Sequence, residues 1–137
     1  MMKYLLFIFS FGLLIISSCG KHNDGCDEDK VCYTLKPDSL YIELQLSPPP
    51  NNEFVEVEFY IGNVDDGELF LSFTTSNSLE YFHMPVGEEY SAKAYYNEGE
   101  KTTVVVEGKE LKSESFENCE ITCYVWDDLI FDLTLKD

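Results

Sequence analysis

Arginine is absent from this chain, and nine lysines stand against twenty-six aspartates and glutamates, for a formal net charge of -17. Such a chain has no basic face to neutralise phosphates and no guanidinium to read bases, so the composition excludes nucleic acid as a partner. Polybasic attraction to anionic lipid fails for the same reason. Histidine is almost as scarce: His22 lies in a polar stretch near the start, and His83 is alone in the remainder. A histidine-built metal site or a two-histidine proton relay therefore lacks parts. Neither G-x-S-x-G, nor H-E-x-x-H, nor a phosphate-cradling glycine loop occurs. The adjacent acids Asp65/Asp66 and Asp127/Asp128 fall where turns are expected. These absences point to a non-enzymatic chain without cofactor or metal. No ten-residue window carries a helical stripe, and no apolar run reaches the length of about twenty residues that a spanning helix needs.

What is present begins with an address. Lys3 supplies a positive start, Tyr4 to Ile16 an apolar core of about thirteen residues, and Ser17-Ser18 the small residues before Cys19, the order of a secretory signal peptide. The four residues Ile16-Ser17-Ser18-Cys19 resemble the lipobox of bacterial lipoproteins, in which the cysteine thiol receives a diacylglyceryl group and becomes the mature N-terminus. That resemblance implies a signal peptide over 1–18, lipidation at Cys19 and a mature chain of 119 residues, enough for one domain. With so acidic a chain, the membrane link would rest on acyl chains alone. An ordinary signal peptide cut nearby would instead remove Cys19 or leave it as a thiol.

Residues 19–30 are polar and charged and read as the lipidated cysteine followed by a flexible tether. They are similar to the tethers of Gram-negative lipoproteins in which early acids, here Asp24, Asp27, Glu28 and Asp29, accompany export to the outer face of the outer membrane. Gly20 is not the aspartate that retains many such proteins at the inner membrane. The implied location is the outer membrane, lipid-anchored and surface-exposed. Asn23, Asp24, Asp27 and Asp29 do not keep the D-x-D-x-D-G spacing of a calcium loop.

With Cys19 lipidated, Cys26, Cys32, Cys119 and Cys123 form an even set in an oxidising compartment and read as two disulfides. If 119–126 is a strand, Cys119 and Cys123 share a face but lie about 13 Å apart, too far to join each other. Each would then bond a member of the Cys26/Cys32 pair, stapling the start of the domain to its end across about ninety residues, worth about 4 kcal/mol in the chain-entropy model. The competing pairing, Cys26 with Cys32 and Cys119 with Cys123, requires Glu120-Ile121-Thr122 to turn. The C-x5-C and C-x3-C spacings do not suit zinc.

From residue 31 the apolar period is two. Leu40, Ile42, Leu44 and Leu46 alternate with polar residues, as do Val55, Val57, Phe59 and Ile61 after the break at Pro48-Pro49-Pro50. Asn63 to Gly67 reads as a turn, with Leu69, Leu71 and Phe73 returning to the core and a short strand over Leu79 to Phe82. Tyr90, Ala92, Ala94 and Tyr96 give another strand, then Thr102 to Val106, then a polar stretch from Glu107 to Glu117. Cys119, Ile121, Cys123 and Val125 follow on one face, and Asp127-Asp128 turns the chain into Leu129, Phe131, Leu133 and Leu135. Residues 31–137 are thus expected to form one all-β domain, an antiparallel β-sandwich of seven to nine strands.

The segment Met84-Pro85-Val86-Gly87-Glu88-Glu89-Tyr90 resembles the corner motif of bacterial immunoglobulin-like, fibronectin-like and prealbumin-like modules, where proline and glycine turn the chain and a tyrosine pins it. The resemblance implies an immunoglobulin-like or prealbumin-like sandwich, with the Tyr90 hydroxyl bonded to backbone at the corner and its ring in the core.

Tyr41, Tyr60, Phe70, Tyr95, Tyr124 and Trp126 fall on the opposite parity to the core residues. Outward aromatics can anchor a protein partner or stack on sugars, because rigid rings bury area at low entropic cost. Trp126, Tyr124, Tyr95 and Tyr60 are the candidate binding residues, with Trp126 placed at a hairpin tip. The expected function is a lipid-anchored module binding protein or assembling in the envelope. A glycan-binding module, and an acidic inhibitor of basic secreted enzymes, are the alternatives.

Overall fold

Alternation alone places Leu40, Ile42, Leu44 and Leu46 on one side of a strand, and all four are buried in β1 (Ser39–Leu46). A computed structural model describes residues 29–49, 53–127 and 129–136; the expected signal peptide, Cys19, Cys26 and the tether up to residue 28 lie outside the described residues. Eight further strands follow: β2 (Val55–Ile61), β3 (Glu68–Thr75), β4 (Leu79–Pro85), β5 (Glu88–Glu98), β6 (Lys101–Leu111), β7 (Glu114–Asn118), β8 (Ile121–Val125) and β9 (Ile130–Leu133). The described residues contain no helix.

The strands form a sandwich. One sheet has the order β4-β1-β9, the other β3-β2-β5-β6, and β7 and β8 make a separate hairpin. Pairing is antiparallel except between β1 and β9, which run parallel with Glu43 opposite Ile130 and Leu46 opposite Leu133. Both sheets contribute to one core, in which the Phe59 ring meets Phe131 edge-on at 5.3 Å and Phe82 at 5.9 Å. At the rim between β9 and β6, the Glu107 carboxylate accepts a hydrogen bond from the Asp132 amide, so an edge N–H is satisfied without a further strand.

β5 is pinned at both ends by buried tyrosines. The Tyr90 hydroxyl donates to the Pro85 carbonyl at 3.1 Å, across the Val86-Gly87 corner where the chain passes from one sheet to the other. Gly87 has φ +94°, a conformation costly for any residue with a Cβ. The tyrosine corner is therefore present as expected. At the far end, the Tyr96 hydroxyl donates to the Leu133 carbonyl at 2.8 Å and accepts from the Ser47 amide at 3.0 Å.

Several local expectations are corrected. A register shift between Phe59 and Tyr60 sets Tyr60 opposite Leu69. Beyond this bulge the parity of β3 reverses, as an extra residue must do: Leu69 is exposed, and Phe70 packs edge-on against Tyr90 at 5.6 Å. The strand begun at Leu79 continues to Pro85, so His83 sits in it. The polar stretch from Glu107 is not a loop, since Glu107 to Leu111 complete β6 against Glu88 to Ala92 and residues 114–118 form β7. An edge strand with one solvated face accepts such charged residues. Cys119 is not on the strand face of Cys123: Cys119 and Glu120 have φ 53° and 64° and make the two-residue turn between β7 and β8. Finally, β8 and β9 belong to different sheets, so Asp127 opens a crossing connection and no hairpin turn occurs there; Asp128 lies outside the described residues.

Candidate functional site

The four nominated aromatics separate into two pairs. Tyr60 on β2 and Tyr95 on β5 share the outer face of the four-stranded sheet, because Glu56 pairs with Tyr95 and Glu58 with Lys93 across the two strands. Between them lies Glu58, two residues before Tyr60 and hence on the same face. Its Oε2 accepts hydrogen bonds from both hydroxyls, each at 2.7 Å. Lys93 completes the group, with Nζ 5.0 Å from the Tyr60 ring centroid, within cation–π range.

This geometry shifts the titration of its members. The hydrogen bonds from Tyr60 and Tyr95, with the nearby Lys93 charge, hold the Glu58 carboxyl below the usual carboxylate range. The bond to Glu58, and then partial burial, pushes the Tyr95 phenol up to about 12, and the same carboxylate raises Tyr60. Around pH 7 the cluster is a carboxylate held by two neutral phenols beside an ammonium. It is an ordered polar and aromatic surface.

The second pair sits by the hairpin. A disulfide joins Cys32 to Cys123, with Cα atoms 4.9 Å apart, and the Tyr124 amide donates to the Tyr33 carbonyl at 2.8 Å. Trp126 is half-buried, packs against the core, and stacks on the Tyr33 ring at 4.6 Å. It is thus not a free hairpin tip, since the chain beyond it crosses to another sheet and Tyr33 covers one of its faces. A cleft of ≈ 130 Å³ beside it is lined by Lys112, Glu114, Val125, Trp126 and Asp127, well below the roughly 300–1,000 Å³ of ordinary small-molecule sites. Cys119 is also disulfide-bonded.

A third aromatic group lies on the outer face of the other sheet, where Tyr41 and Tyr81 are exposed with rings parallel to within 11° at 5.5 Å and His83 meets Tyr41 edge-on at 5.0 Å. Tyr41 was expected to face outward. Tyr81 was missed, and its signal was parity with His83, which register places directly opposite Tyr41. Glu58 and Lys93 were also missed, although Glu58 stands at i−2 from Tyr60. Among the described residues, no group of three or more His, Cys, Asp or Glu side chains is placed to hold a metal ion.

Compared with known proteins, the chain matches no family model, no curated protein and no solved structure.

Proposed function

We propose that this chain is a lipid-anchored, non-enzymatic envelope lipoprotein that binds a protein partner through the outer face of its four-stranded sheet. The observation that carries the binding reading is the Glu58 carboxylate held by the hydroxyls of Tyr60 and Tyr95. Ordering the two rings in the free protein removes an entropic cost that binding would otherwise meet. An open sheet face suits another protein better than a small molecule, which needs a concave site. The lipobox-like Ile16-Ser17-Ser18-Cys19 supports a lipid anchor, Gly20 and the early acids Asp24, Asp27, Glu28 and Asp29 support the outer membrane, and the acidic composition favours a basic partner that is steered electrostatically. Of the two sandwich folds that the corner resemblance implies, immunoglobulin-like and prealbumin-like, we favour the prealbumin-like one. In immunoglobulin domains the first two strands share a sheet, whereas β1 and β2 lie in opposite sheets here.

The test has two parts. Protease and antibody access to tagged protein on intact cells, beside a Cys19→Ala variant, examines location: surface access, with release of the variant from membranes, is expected. Crosslinking on those cells, wild type against Tyr60→Ala/Tyr95→Ala, examines the face. A captured protein that persists undiminished in the double variant would refute the assignment.

A glycan-binding reading is favoured by one separate observation, the parallel exposed rings of Tyr41 and Tyr81. It predicts binding that survives 0.5 M salt and is lost in Tyr41→Ala/Tyr81→Ala. A basic protein held by charge would instead weaken with salt.

A further inference from the structure

Trp126 is the chain's single tryptophan, and more than one neighbour holds it in place. Tyr33 stacks on it at 4.6 Å. The Tyr33 segment is itself tied to β8 by the Cys32–Cys123 disulfide and by the bond from the Tyr124 amide to the Tyr33 carbonyl. The indole also packs against the core. A ring fixed in this way before a ligand arrives lowers the ordering cost of a contact.

The start of β7 brings charge to this ring. Register sets Glu114 opposite Val125, the residue before Trp126, and Asp127 follows directly in the chain. With Lys112, these residues line the cleft of ≈ 130 Å³. Lys112 is paired with Glu110, its Nζ 3.4 Å from Oε2, so its charge is already offset. Neither the Glu114 nor the Asp127 carboxylate has a hydrogen-bond or ion-pair partner among the described residues, and both residues are exposed.

The cleft therefore combines an indole wall, the aliphatic Val125 and two uncommitted carboxylates. A cationic side chain uses all three: tryptophan is the best of the aromatic rings for a cation–π contact, carboxylates pair bidentately with a planar guanidinium, and an aliphatic wall covers a methylene stem. The size agrees. A volume of ≈ 130 Å³ equals roughly four waters at about 30 Å³ each, which is room for one side-chain end and not for an ordinary small-molecule ligand. Arginine is absent from this chain, so an arginine seated here belongs to another protein and not to a second copy.

We propose that the Trp126 cleft is an anchor site for one arginine side chain of a basic protein partner, its guanidinium against the indole and bonded to Glu114 and Asp127. The cleft lies by the β7–β8 hairpin, whereas the Glu58 cluster lies on the four-stranded sheet, and the inference does not depend on the sheet-face reading. Arginine and tryptophan are among the residues in which interface binding energy concentrates, and the acidic surface steers a basic partner toward such a site.

The single indole N–H gives one peak in a nitrogen–proton correlation spectrum, so Trp126 reports on the cleft directly. The full chain in detergent solution is titrated in the millimolar range with N-acetyl-arginine amide and, separately, with N-acetyl-citrulline amide, an isostere that lacks the charge, at constant ionic strength. A saturable shift of the indole peak is expected with the arginine compound, weakened by high salt. Citrulline should bind roughly tenfold more weakly or worse, since charge-assisted hydrogen bonds are about twice as strong as neutral ones. Glu114→Gln/Asp127→Asn should lower the arginine affinity by about the same factor, with the rest of the spectrum unchanged because both sites are exposed.

An indole peak that does not move with arginine would overturn the inference. Equal responses to the arginine and citrulline compounds would make the cleft a neutral site and overturn it as well. An undiminished response in the double variant would overturn the assignment of the two carboxylates. An indole shift that follows protein concentration, with no compound added, would assign the cleft to a second copy and overturn the arginine anchor. None of these outcomes bears on Tyr60 and Tyr95, which the crosslinking experiment tests separately.

Discussion

The hydroxyl of Tyr90 donates to the carbonyl of Pro85 across the corner at which the chain leaves one sheet for the other. The ring is fully buried, so one side chain both fills the core and satisfies a carbonyl at a pole of the sandwich. Tyr90→Phe keeps the ring and removes the bond, which should cost about 1 kcal/mol. Tyr90→Ala also empties the space and should cost roughly 3–5 kcal/mol, the range of large aromatic truncations. Urea denaturation of the two variants separates these contributions. A Phe variant as stable as the wild type would show that water replaces the corner bond at no cost.

The Cys32–Cys123 bond closes a sequence separation of 91 residues. Paired replacement by serine should lower stability by roughly 2–5 kcal/mol, chiefly by enlarging the unfolded ensemble. Non-reducing peptide mapping should in addition recover Cys119 joined to Cys26, the bond that the cross-chain staple requires. A Cys26–Cys32 peptide would contradict both the staple and the observed pair.

Glu58→Gln removes the charge that holds the phenol protons of Tyr60 and Tyr95. The Tyr95 ionisation should fall from about 12 toward the ordinary value of 10, measured by ultraviolet absorbance titration. The sign for stability follows from the raised folded value. The Tyr95 contribution is full below the unfolded pKa of about 10 and is lost as pH rises toward about 12. The wild type should therefore lose more stability across this interval than Glu58→Gln. Parallel curves for the two proteins would mean that the Glu58 bonds do not persist in solution.

Cys119 and Glu120 both occupy the left-handed region without being glycine, in a hairpin turn whose preferred second residue is glycine. Glu120→Gly should stabilise the domain by about 1 kcal/mol, despite the greater freedom of glycine when unfolded. Thermal or urea unfolding with disulfides intact tests this. A destabilised variant would show that Glu120 makes a compensating interaction at the turn.

The inward faces of β1, β2 and β5 were readable because the strand period is local: side chains two apart share a face whatever the strand pairs with. The Tyr90 corner was readable because proline, glycine and tyrosine occur within six residues, and each has a distinct conformational role. Leu69 and Phe70 were not readable, since the bulge at Phe59/Tyr60 that exchanges their faces is a property of two strands together. Trp126 looked like a tip because Asp127-Asp128 is good turn material, but turn propensity does not say whether the flanking strands pair. The polar residues from Glu107 to Glu117 concealed the second half of β6 and all of β7, because a strand with a solvated face needs no long apolar alternation.

The sequence by itself determined the sign of the surface, the all-β class, the faces of the well-alternating strands and the even set of cysteines beyond Cys19, all of which follow from composition or from neighbours a few residues apart. Tertiary structure decided the parallel β1/β9 pair, the Cys32–Cys123 bond and the union of Tyr60 and Tyr95 on Glu58. Tyr95 lies 37 residues from Glu58. Contacts of that range depend on which strand edges meet once both apolar faces are buried, and many registers bury those faces about equally well until the whole core is packed.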